Sequence, residues 1–492
     1  MNEHRIATSH VTLEEIDTLL NGNTRFRLTE EATKAITDCR RYLDQKLSDS
    51  DEVFYGINTG FGSQYHVRIS QEEVFALQRN LILSHAAGAG EVIDKEVARA
   101  IILLKVISLA KAHSAVSLDV IERLVLFFNE NLIPVIYKLG SLGASGDLAP
   151  LAHMSLALLG KGEFYPINGK TEVSQVLMSR DLNPIKLKSK EGLGLINGTQ
   201  FSTAHGVLAC LEGNRLLRWA NISAAVSLEA FNCNLTPFDP RLHNLRPHAG
   251  QIKVAREILE LLSGSKTSEE EKHLQDPYAF RCIPQVHGAS YDALAHVSGV
   301  LEIEINSVTD NPLIFPESDA IISGGNFHAQ PVALVLDYLA IAIAELGSIS
   351  ERRTYQLLSA TRGLPACLVH GAGLQSGLMI AQYTAASIVN RNKILCTPAS
   401  TDSIPTSMGQ EDHVSMAANS ATKLREIVQN VKTIISIEFL AAMQAIDLRG
   451  NADKLSPELH RFYTDYRKTV PFITEDVVLH DLFVRTEAFF DR

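Results

Sequence analysis

Residues 332–349, VALVLDYLAIAIAELGSI, are apolar on nearly every side of a helix and carry only Asp337 and Glu345 as charged residues. Residues 433–448, TIISIEFLAAMQAIDL, have the same character, and residues 201–231 are apolar on several sides and contain no proline. A helix that is apolar all round has to be covered by other helices. These segments predict a mainly α fold with long helices at the centre of a bundle or at a subunit interface.

The size and composition of the chain predict more than one domain. It has 492 residues, 46% of them hydrophobic, which is more than a single core usually supports. No linker rich in glycine, serine or proline and no internal repeat interrupts the sequence, so we expect the domains to share a continuous core. Short strands or loops are expected around residues 163–170, EFYPINGK, where turn-forming residues interrupt the helices.

Charge and targeting signals narrow the class of partner. The net charge is −11 and there is no run of lysine and arginine, which argues against nucleic acid and anionic membranes and favours a small-molecule ligand. The N-terminal residues lack the apolar core of a signal peptide, and no stretch of 18 uncharged apolar residues follows, so we expect a cytoplasmic protein. The six cysteines form no CxxC pair and no His/Cys ligand cluster is present, which predicts reduced thiols and no metal.

Residues 140–150, GSLGASGDLAP, place three glycines around Ser145. A hydrolase nucleophile elbow would need G-x-S-x-G after a strand, and the sequence here fits that pattern poorly. A glycine-rich turn in which Ser145 or Asp147 caps the next helix is a stronger interpretation. In a third, the amide nitrogen of Gly146 attacks the carbonyl carbon of Ala144, and loss of the Ser145 hydroxyl leaves an electrophilic methylidene. Only small neighbours permit that approach.

The wider stretch GSLGASGDLAPLAHM resembles the signature of the aromatic amino acid ammonia-lyase family. The resemblance extends, in the order usual for the family, through further motifs that span nearly the whole chain: YGINTGFGS (55–63), LQRNLILSHAAGAG (77–90), LINGTQ (195–200), QDPYAFRCIPQVHGA (275–289), TDNPL (309–313), SGGNFHAQPVA (323–333) and SIPTSMGQEDHVSM (403–416). It implies a long-helix bundle of the fumarase/aspartase-like type. It also implies a smaller N-terminal domain, residues 1–199, that carries the prosthetic group, and a helical bundle over residues 200–492.

The same resemblance implies a prosthetic group and an assembly. Ala144, Ser145 and Gly146 would form 4-methylidene-imidazole-5-one, and no nicotinamide, pyridoxal or metal would be needed. The chain would form a homotetramer in which several subunits build each active site, as all-round apolar helices also suggest. A fumarase-like lyase is one rival class, but the sequence contains no match to the SSxMPxK stretch of that superfamily. A non-catalytic helical scaffold is the other, but it would not explain the triplet together with Tyr55 and Arg281.

Site roles follow from the resemblance residue by residue. Tyr55 would take the β-proton of the substrate, which requires positive charge or oriented donors that favour phenolate. Arg281 would pair bidentately with the substrate carboxylate. The other implied site residues are a second tyrosine, two amides that bind without titrating and an aromatic contact: Tyr278, Asn197, Gln275 and Phe327.

Three further residues bear on the substrate. Residues 72–86 have helical apolar spacing, and the stripe continues into Ser84 and His85, so we expect polar groups on a buried face. Ser84, His85 and Glu411 match the family members that convert L-histidine to trans-urocanate and ammonia, with tyrosine or phenylalanine as alternative substrates. A carboxylate is poorly matched to a phenyl ring but accepts a hydrogen bond from imidazole. His287, Gln330 and the stretch TRGLPACLV (361–369) depart from the usual pattern, which leaves fine specificity and rate open.

Overall fold

A computed structural model describes residues 3–22, 24–49, 52–62, 65–70, 72–167, 170–267, 270–371 and 373–491. These residues are mostly helical, which confirms the predicted mainly α class. Ser63 of the YGINTGFGS motif and Asn168 and Gly169 of the 163–170 segment lie outside the described residues.

The chain forms two compact units, each assembled from three segments. Unit 1 comprises Met1–Leu208, Ser298–Asp337 and Pro398–Thr422, and unit 2 comprises Ala209–Val297, Tyr338–Thr397 and Lys423–Arg492. The boundary predicted at residue 199 falls inside unit 1, and two later segments return to that unit. The division into domains at 1–199 and 200–492 therefore stays a prediction.

Unit 1 contains the first eight helices and all strands of the described residues. The helices are α1 (Leu13–Asn21), α2 (Glu30–Asp49), α3 (Val74–His85), α4 (Lys95–Ala110), α5 (Leu118–Asn129), α6 (Leu148–Leu156), α7 (Val173–Met178) and α8 (Glu191–Ile196). The strands are β1 (Glu3–Ile6), β2 (Arg25–Leu28), β3 (Ala89–Val92), β4 (Tyr137–Leu139), β5 (Glu163–Ile167), β6 (Lys170–Glu172), β7 (Leu313–Phe315) and β8 (Ala320–Ile322). They pair as a parallel β1–β2 sheet and as antiparallel β3–β4, β5–β6 and β7–β8 hairpins or ribbons.

The core of unit 1 is built around α4. Its side chains are buried on almost every side, because the sequence IILLKVISLA presents apolar residues all round the helix. α4 packs against α5, while α3, α6 and α8 pack against one another. Gln78 of α3 accepts a hydrogen bond from the backbone nitrogen of Gly192 in α8 at 2.8 Å. This packing brings the C-terminal end of α3, the N-terminal end of α6 and the C-terminal end of α8 together.

Four long helices run through both units: α9 (Gln200–Ala230), α13 (Ile283–Ile305), α14 (Gln330–Leu357) and α16 (Ala417–Arg449). The helices wholly in unit 2 are α10 (Pro240–Asn244), α11 (Ala249–Leu261), α12 (Tyr278–Arg281), α15 (Met379–Leu395), α17 (Pro457–Arg467) and α18 (Leu479–Phe490).

Close glycine contacts show that the long helices form a bundle in unit 2. A Cβ added at Gly213 of α9 would lie 2.9 Å from Leu294 of α13 and 3.1 Å from Ile343 of α14. One added at Gly347 of α14 would lie 2.9 Å from Ile434 of α16. The apolar segments 332–349 and 433–448 lie in α14 and α16, as the sequence predicts.

α14 has the length and composition of a membrane-spanning helix, and it is the only such helix in the described part of the chain. Its apolar window is 67% buried within the protein, as expected for a core helix. Tyr338, Ile341 and Tyr355 nevertheless remain exposed on this helix in the single chain.

Candidate active site

The Ala144–Ser145–Gly146 triplet lies between β4 and α6 in unit 1. Gly146 has a φ of +74°, and a Cβ added there would lie 2.3 Å from the carbonyl oxygen of Gly198. Only glycine fits this position, because any side chain would collide with backbone. The backbone nitrogen of Asp147 donates to the same Gly198 oxygen at 2.7 Å. The triplet is therefore held directly against the loop that follows α8.

Asp147 occupies the N-cap position of α6, but its side chain makes no capping hydrogen bond. Its carboxylate instead accepts hydrogen bonds from the Ser141 hydroxyl at 2.8 Å and from the Ser202 hydroxyl and backbone nitrogen at 3.0 and 2.9 Å. Burial raises the pKa of Asp147 in spite of these donors. Neither Ser145 nor Asp147 caps the helix, so the interpretation of the stretch as a capped turn is wrong in that respect.

Both polar ends of Ser145 are engaged. Its hydroxyl donates to Oε1 of Glu411 at 2.5 Å, and its carbonyl oxygen accepts from Nδ2 of Asn197 at 2.5 Å. The Oδ1 atom of Asn197 is buried and has no hydrogen-bond partner among the described residues. An orphaned acceptor beside the triplet is suited to a ligand that donates hydrogen bonds.

Glu411 is presented by a tight turn. The backbones of Thr406 and Glu411 form an antiparallel bridge, and the Thr406 hydroxyl donates to Oε2 of Glu411 at 2.7 Å. Between them, Ser407 and Met408 adopt φ values of +52° and +55°, a conformation that non-glycine residues seldom adopt. The strained turn thus sets the direction of the carboxylate.

A cavity of about 890 Å³ lies over the triplet. Its lining comes entirely from unit 1. The lining includes predicted site residues of unit 1 whose motifs are far apart in the sequence: Tyr55, Ser84, His85, Ala144, Ser145, Asn197, Phe327 and Glu411. Gly146 lies beneath it, packed on Gly198.

His85 and Ser84 lie at the C-terminal end of α3. Nδ1 of His85 donates to the carbonyl oxygen of Leu81 at 2.8 Å, which leaves Nε2 as the acceptor of the neutral ring. Burial lowers the pKa of His85, and the Leu81 carbonyl and the Glu411 carboxylate act in the opposite direction. Ser84 is exposed, His85 is partly buried, and both line the cavity, so the polar groups predicted on this helix face the cavity rather than a buried face.

Tyr55 lines the same cavity. Its hydroxyl oxygen accepts a hydrogen bond from the backbone nitrogen of Gly62 at 3.2 Å. The Gly62 N–H fixes the position of the Tyr55 hydroxyl oxygen in the cavity. This donor comes from the glycine-rich loop of the YGINTGFGS motif.

Gln275, Tyr278 and Arg281 belong to unit 2 and are absent from the lining of the cavity. Tyr278 is 71% exposed, and the guanidinium of Arg281 lies over its ring at 4.6 Å. Nε of Arg281 is buried and has no partner among the described residues. Their segment is anchored in unit 2 by the ion pair of Asp276 with Arg362, at 2.6 Å.

His287, one of the three departures from the family pattern, is fully buried in unit 2. Its pKa lies well below the ordinary value because of burial and the nearby Arg353 charge, so the ring is neutral. Nδ1 donates to Oδ1 of Asn221 at 2.7 Å, and Nε2 accepts from Arg353 at 3.4 Å. Gln330, which also departs from the family pattern, donates from Nε2 to the carbonyl oxygen of Ser400 at 3.5 Å in unit 1.

Sequence reasoning missed two residues that hydrogen-bond to predicted site residues, at the Glu411 carboxylate and at the Asn197 backbone. Thr406 binds Glu411, and Lys105 of α4 donates to the carbonyl oxygen of Asn197 at 2.8 Å and to that of Gly194 at 3.2 Å. A lysine inside the apolar run IILLKVISLA was a visible signal for the second, since an isolated buried cation needs a partner. Among the described residues there is no group of three or more His, Cys, Asp or Glu that could hold a metal ion.

Comparison with known proteins identifies the family of the chain. The family model described as aromatic amino acid lyase matches residues 11–468. The histidine ammonia-lyase of Symbiobacterium thermophilum is 47% identical over 474 residues, which cover 96% of this chain and 93% of that protein. The histidine ammonia-lyase of Treponema denticola is 45% identical over 479 residues, covering 97% and 94%.

Solved structures of enzymes with two different activities share the fold of this chain. The crystal structure of histidine ammonia-lyase from Trypanosoma cruzi superimposes with a TM-score of 0.92 at 38% identity, covering 100% of this chain and 93% of that one. Tyrosine aminomutase from Streptomyces globisporus gives a TM-score of 0.94 at 35% identity, with coverage of 99% and 96%. The fold alone thus does not separate lyase from mutase, but the chain belongs to the aromatic amino acid lyase family.

Proposed function

We propose that this chain removes ammonia from L-histidine to give trans-urocanate, as a carbon–nitrogen lyase. The observation that carries the proposal is the position of Glu411 and His85 in one cavity with Ser145. The names of the relatives that are 43–47% identical over nearly the full chain support the same reaction. Tyrosine or phenylalanine remains the alternative substrate.

We infer that Ala144, Ser145 and Gly146 form the prosthetic group 4-methylidene-imidazole-5-one. The nitrogen of Gly146 would bond to the carbonyl carbon of Ala144 with loss of one water, and a second water would leave from the Cα hydrogen and hydroxyl of Ser145. The residues present fit the group, because Gly146 is packed on Gly198 where no Cβ could lie and Asn197 donates to the Ser145 carbonyl. The group supplies an electrophilic carbon that turns the substrate amine into a leaving group.

The side chains around it then have distinct tasks. Asn197 donates to the Ser145 carbonyl, and this hydrogen bond would withdraw electron density from the group and so make its conjugated carbon more electrophilic. Tyr55, oriented by Gly62, takes the β-proton of the substrate. Arg281 binds the substrate carboxylate, for which its planar fork is suited.

Glu411 and His85 recognise the imidazole ring of the substrate. A carboxylate facing an uncharged phenyl ring would lose water without gaining a partner, whereas an imidazole N–H donates to it. Neutral His85 offers Nε2 as a second acceptor, because Nδ1 is used by Leu81. Phe327 contributes an aromatic wall to the cavity, and Ser84 a hydroxyl.

The active form is proposed to be a cytoplasmic homotetramer in which Tyr55 and Arg281 of one site come from different subunits. Exposed apolar side chains of unit 2, among them Tyr338, Ile341 and Tyr383, support association, and Gln275 and Tyr278 are exposed in the single chain. Mixing inactive Tyr55→Phe and Arg281→Ala proteins through unfolding and reassembly should restore activity. A fully active monomer in light scattering would contradict this assembly.

A substrate panel on purified protein tests the reaction. L-histidine, L-tyrosine and L-phenylalanine are compared by the absorbance of their unsaturated products, and histidine should be turned over far faster than the other two. Glu411→Gln should lower histidine turnover more than about tenfold, the order of one charge-assisted hydrogen bond. Faster conversion of tyrosine to coumarate would show that the substrate is tyrosine.

Intact mass tests the prosthetic group on the same preparation. Active protein should be two water molecules lighter than its encoded mass, and borohydride should inactivate it. Ser145→Ala, the matched control, should keep the full mass and the fold while losing nearly all activity. An unmodified mass in fully active protein would rule out this mechanism.

A further inference from the structure

The two oxygens of Glu411 are held by different donors. Oε1 accepts from the Ser145 hydroxyl at 2.5 Å, and Oε2 accepts from the Thr406 hydroxyl at 2.7 Å. A hydroxyl has one hydrogen to donate, so each donor is committed to its own oxygen. The carboxylate is thereby fixed both in position and in rotation about its terminal bond.

Only one of the two donors is retained after the proposed prosthetic group forms. The Ser145 hydroxyl leaves when the proposed prosthetic group forms, so this step of the argument rests on the proposed function. The Thr406 hydroxyl stays, and the backbone bridge of Thr406 with Glu411 keeps it opposite Oε2, with N···O distances of 2.9 and 3.3 Å. Loss of the serine hydroxyl therefore releases Oε1 alone.

The released oxygen lies in the cavity that takes the substrate. Glu411, Ser145 and His85 all line it, and the Glu411 carboxylate is close enough to His85 to act on its pKa. An acceptor that has lost its donor in a partly buried site is poorly solvated, which favours a ligand that donates a hydrogen bond. A substrate imidazole N–H supplies such a donor and a phenyl ring does not.

We propose that Thr406 is a positioning residue that sets substrate choice: it holds Oε2 of Glu411 so that Oε1, occupied by the Ser145 hydroxyl in the unmodified chain, becomes the acceptor for the substrate ring. Thr406 does not itself contact the substrate. It acts by preventing the freed carboxylate from turning away.

The test uses Thr406→Val, which removes the donor at nearly constant volume, and Thr406→Ser, which restores it. Thr401→Val is the matched control, because the exposed Thr401 hydroxyl donates only to the carbonyl oxygen of Pro398 in the same segment. Intact mass reports formation of the prosthetic group in each protein, and kcat and KM are measured for histidine and for tyrosine.

Thr406→Val should lose two waters like the parent protein, and its kcat/KM for histidine should fall about tenfold, the scale of one hydrogen bond to a charged acceptor. Its kcat/KM for tyrosine should stay unchanged, and Thr406→Ser and Thr401→Val should match the parent for both substrates. Equal losses on both substrates, an unmodified mass in Thr406→Val, or unchanged histidine kinetics would each overturn the proposal. Failure of the proposed function is seen separately, as a parent protein that keeps its full mass or prefers tyrosine.

Discussion

Lys105 in unit 1 and Arg353 in unit 2 are both buried cations, and each donates to the backbone of a segment that carries predicted site residues. Lys105 is 1% exposed and binds the carbonyl oxygens of Asn197 and Gly194. Arg353 is 0% exposed and donates to the carbonyl oxygen of Ala279, between Tyr278 and Arg281, at 3.3 Å.

The two differ in how their charge is balanced. Arg353 forms a two-point ion pair with Glu438, at 2.5 and 2.8 Å, and Ser227 donates to the same carboxylate at 2.7 Å. No carboxylate of the described residues lies within salt-bridge distance of Lys105, and Asp310 pairs with Lys190 instead. Burial lowers the pKa of Lys105 to about 7, although Asp310 and Asp147 act against the shift. The charge of Arg353 is balanced by Glu438, whereas the charge of Lys105 depends on pH near neutrality.

The largest loss of stability is expected when Arg353 is replaced. Arg353→Met leaves Glu438 buried without its partner, and breaking a buried pair in this way costs about 3–5 kcal/mol of the free energy of unfolding. Denaturant unfolding followed by circular dichroism measures it. Arg256 of α11 provides the control, because it is 67% exposed and its partner Glu260, at 3.8 Å, is 66% exposed, so Arg256→Met should change stability by less than about 1 kcal/mol. Equal effects of the two substitutions would show that burial of the pair does not matter.

The pH dependence of stability distinguishes Lys105 from Arg353. The pKa of Lys105 is about 7 in the folded chain and 10.5 in the reference state, so between these values the unfolded chain binds a proton that the folded chain has released. Stability should rise with pH in this window by about 1.4 kcal/mol per unit relative to Lys105→Met, which cannot titrate. The cost of the buried charge is fully present below about pH 7. Unfolding midpoints of both proteins at pH 6.5, 7.5 and 8.5 test this, and parallel pH curves would refute it.

The smallest effect is expected at His287. His287→Leu removes the donor to Asn221 and a long hydrogen bond from Arg353, which should cost about 1–2 kcal/mol of stability. The kcat/KM for histidine should remain within about twofold, because Glu438 still holds Arg353. His287→Gln, which retains a donor, should recover part of the stability. A large loss of activity at unchanged stability would mean that His287 orients α12 directly.

The sequence was most informative where chemistry is concentrated in short motifs. Tyr55, His85, Asn197, Phe327 and Glu411 come from separate motifs, and the fold brings them to one cavity. The mainly α class followed from the all-round apolar segments.

Contacts between segments far apart in the chain could not be predicted in the same way. Arg353 and Glu438 are 85 residues apart, and Lys105 and the Asn197 carbonyl are 92 residues apart, so no local pattern links them. Ser298–Asp337 and Pro398–Thr422 return to unit 1 without any linker to mark the crossing. The turn that joins Thr406 to Glu411 lies within one motif, but its left-handed Ser407 and Met408 oppose the preference of those residues.

The packing of Gly146 on Gly198 has a consequence for how folding could be followed. Asn197 and Ser145, which form a hydrogen bond, are 52 residues apart in the sequence. The tight bend at Gly146 therefore exists only after that part of unit 1 has folded. If the triplet forms the proposed prosthetic group and the bend drives its ring closure, the loss of two waters would be a covalent record of folding that survives later denaturation. Mass spectrometry of a fully unfolded sample would then count the molecules that had once reached the native state, separately from those that never did.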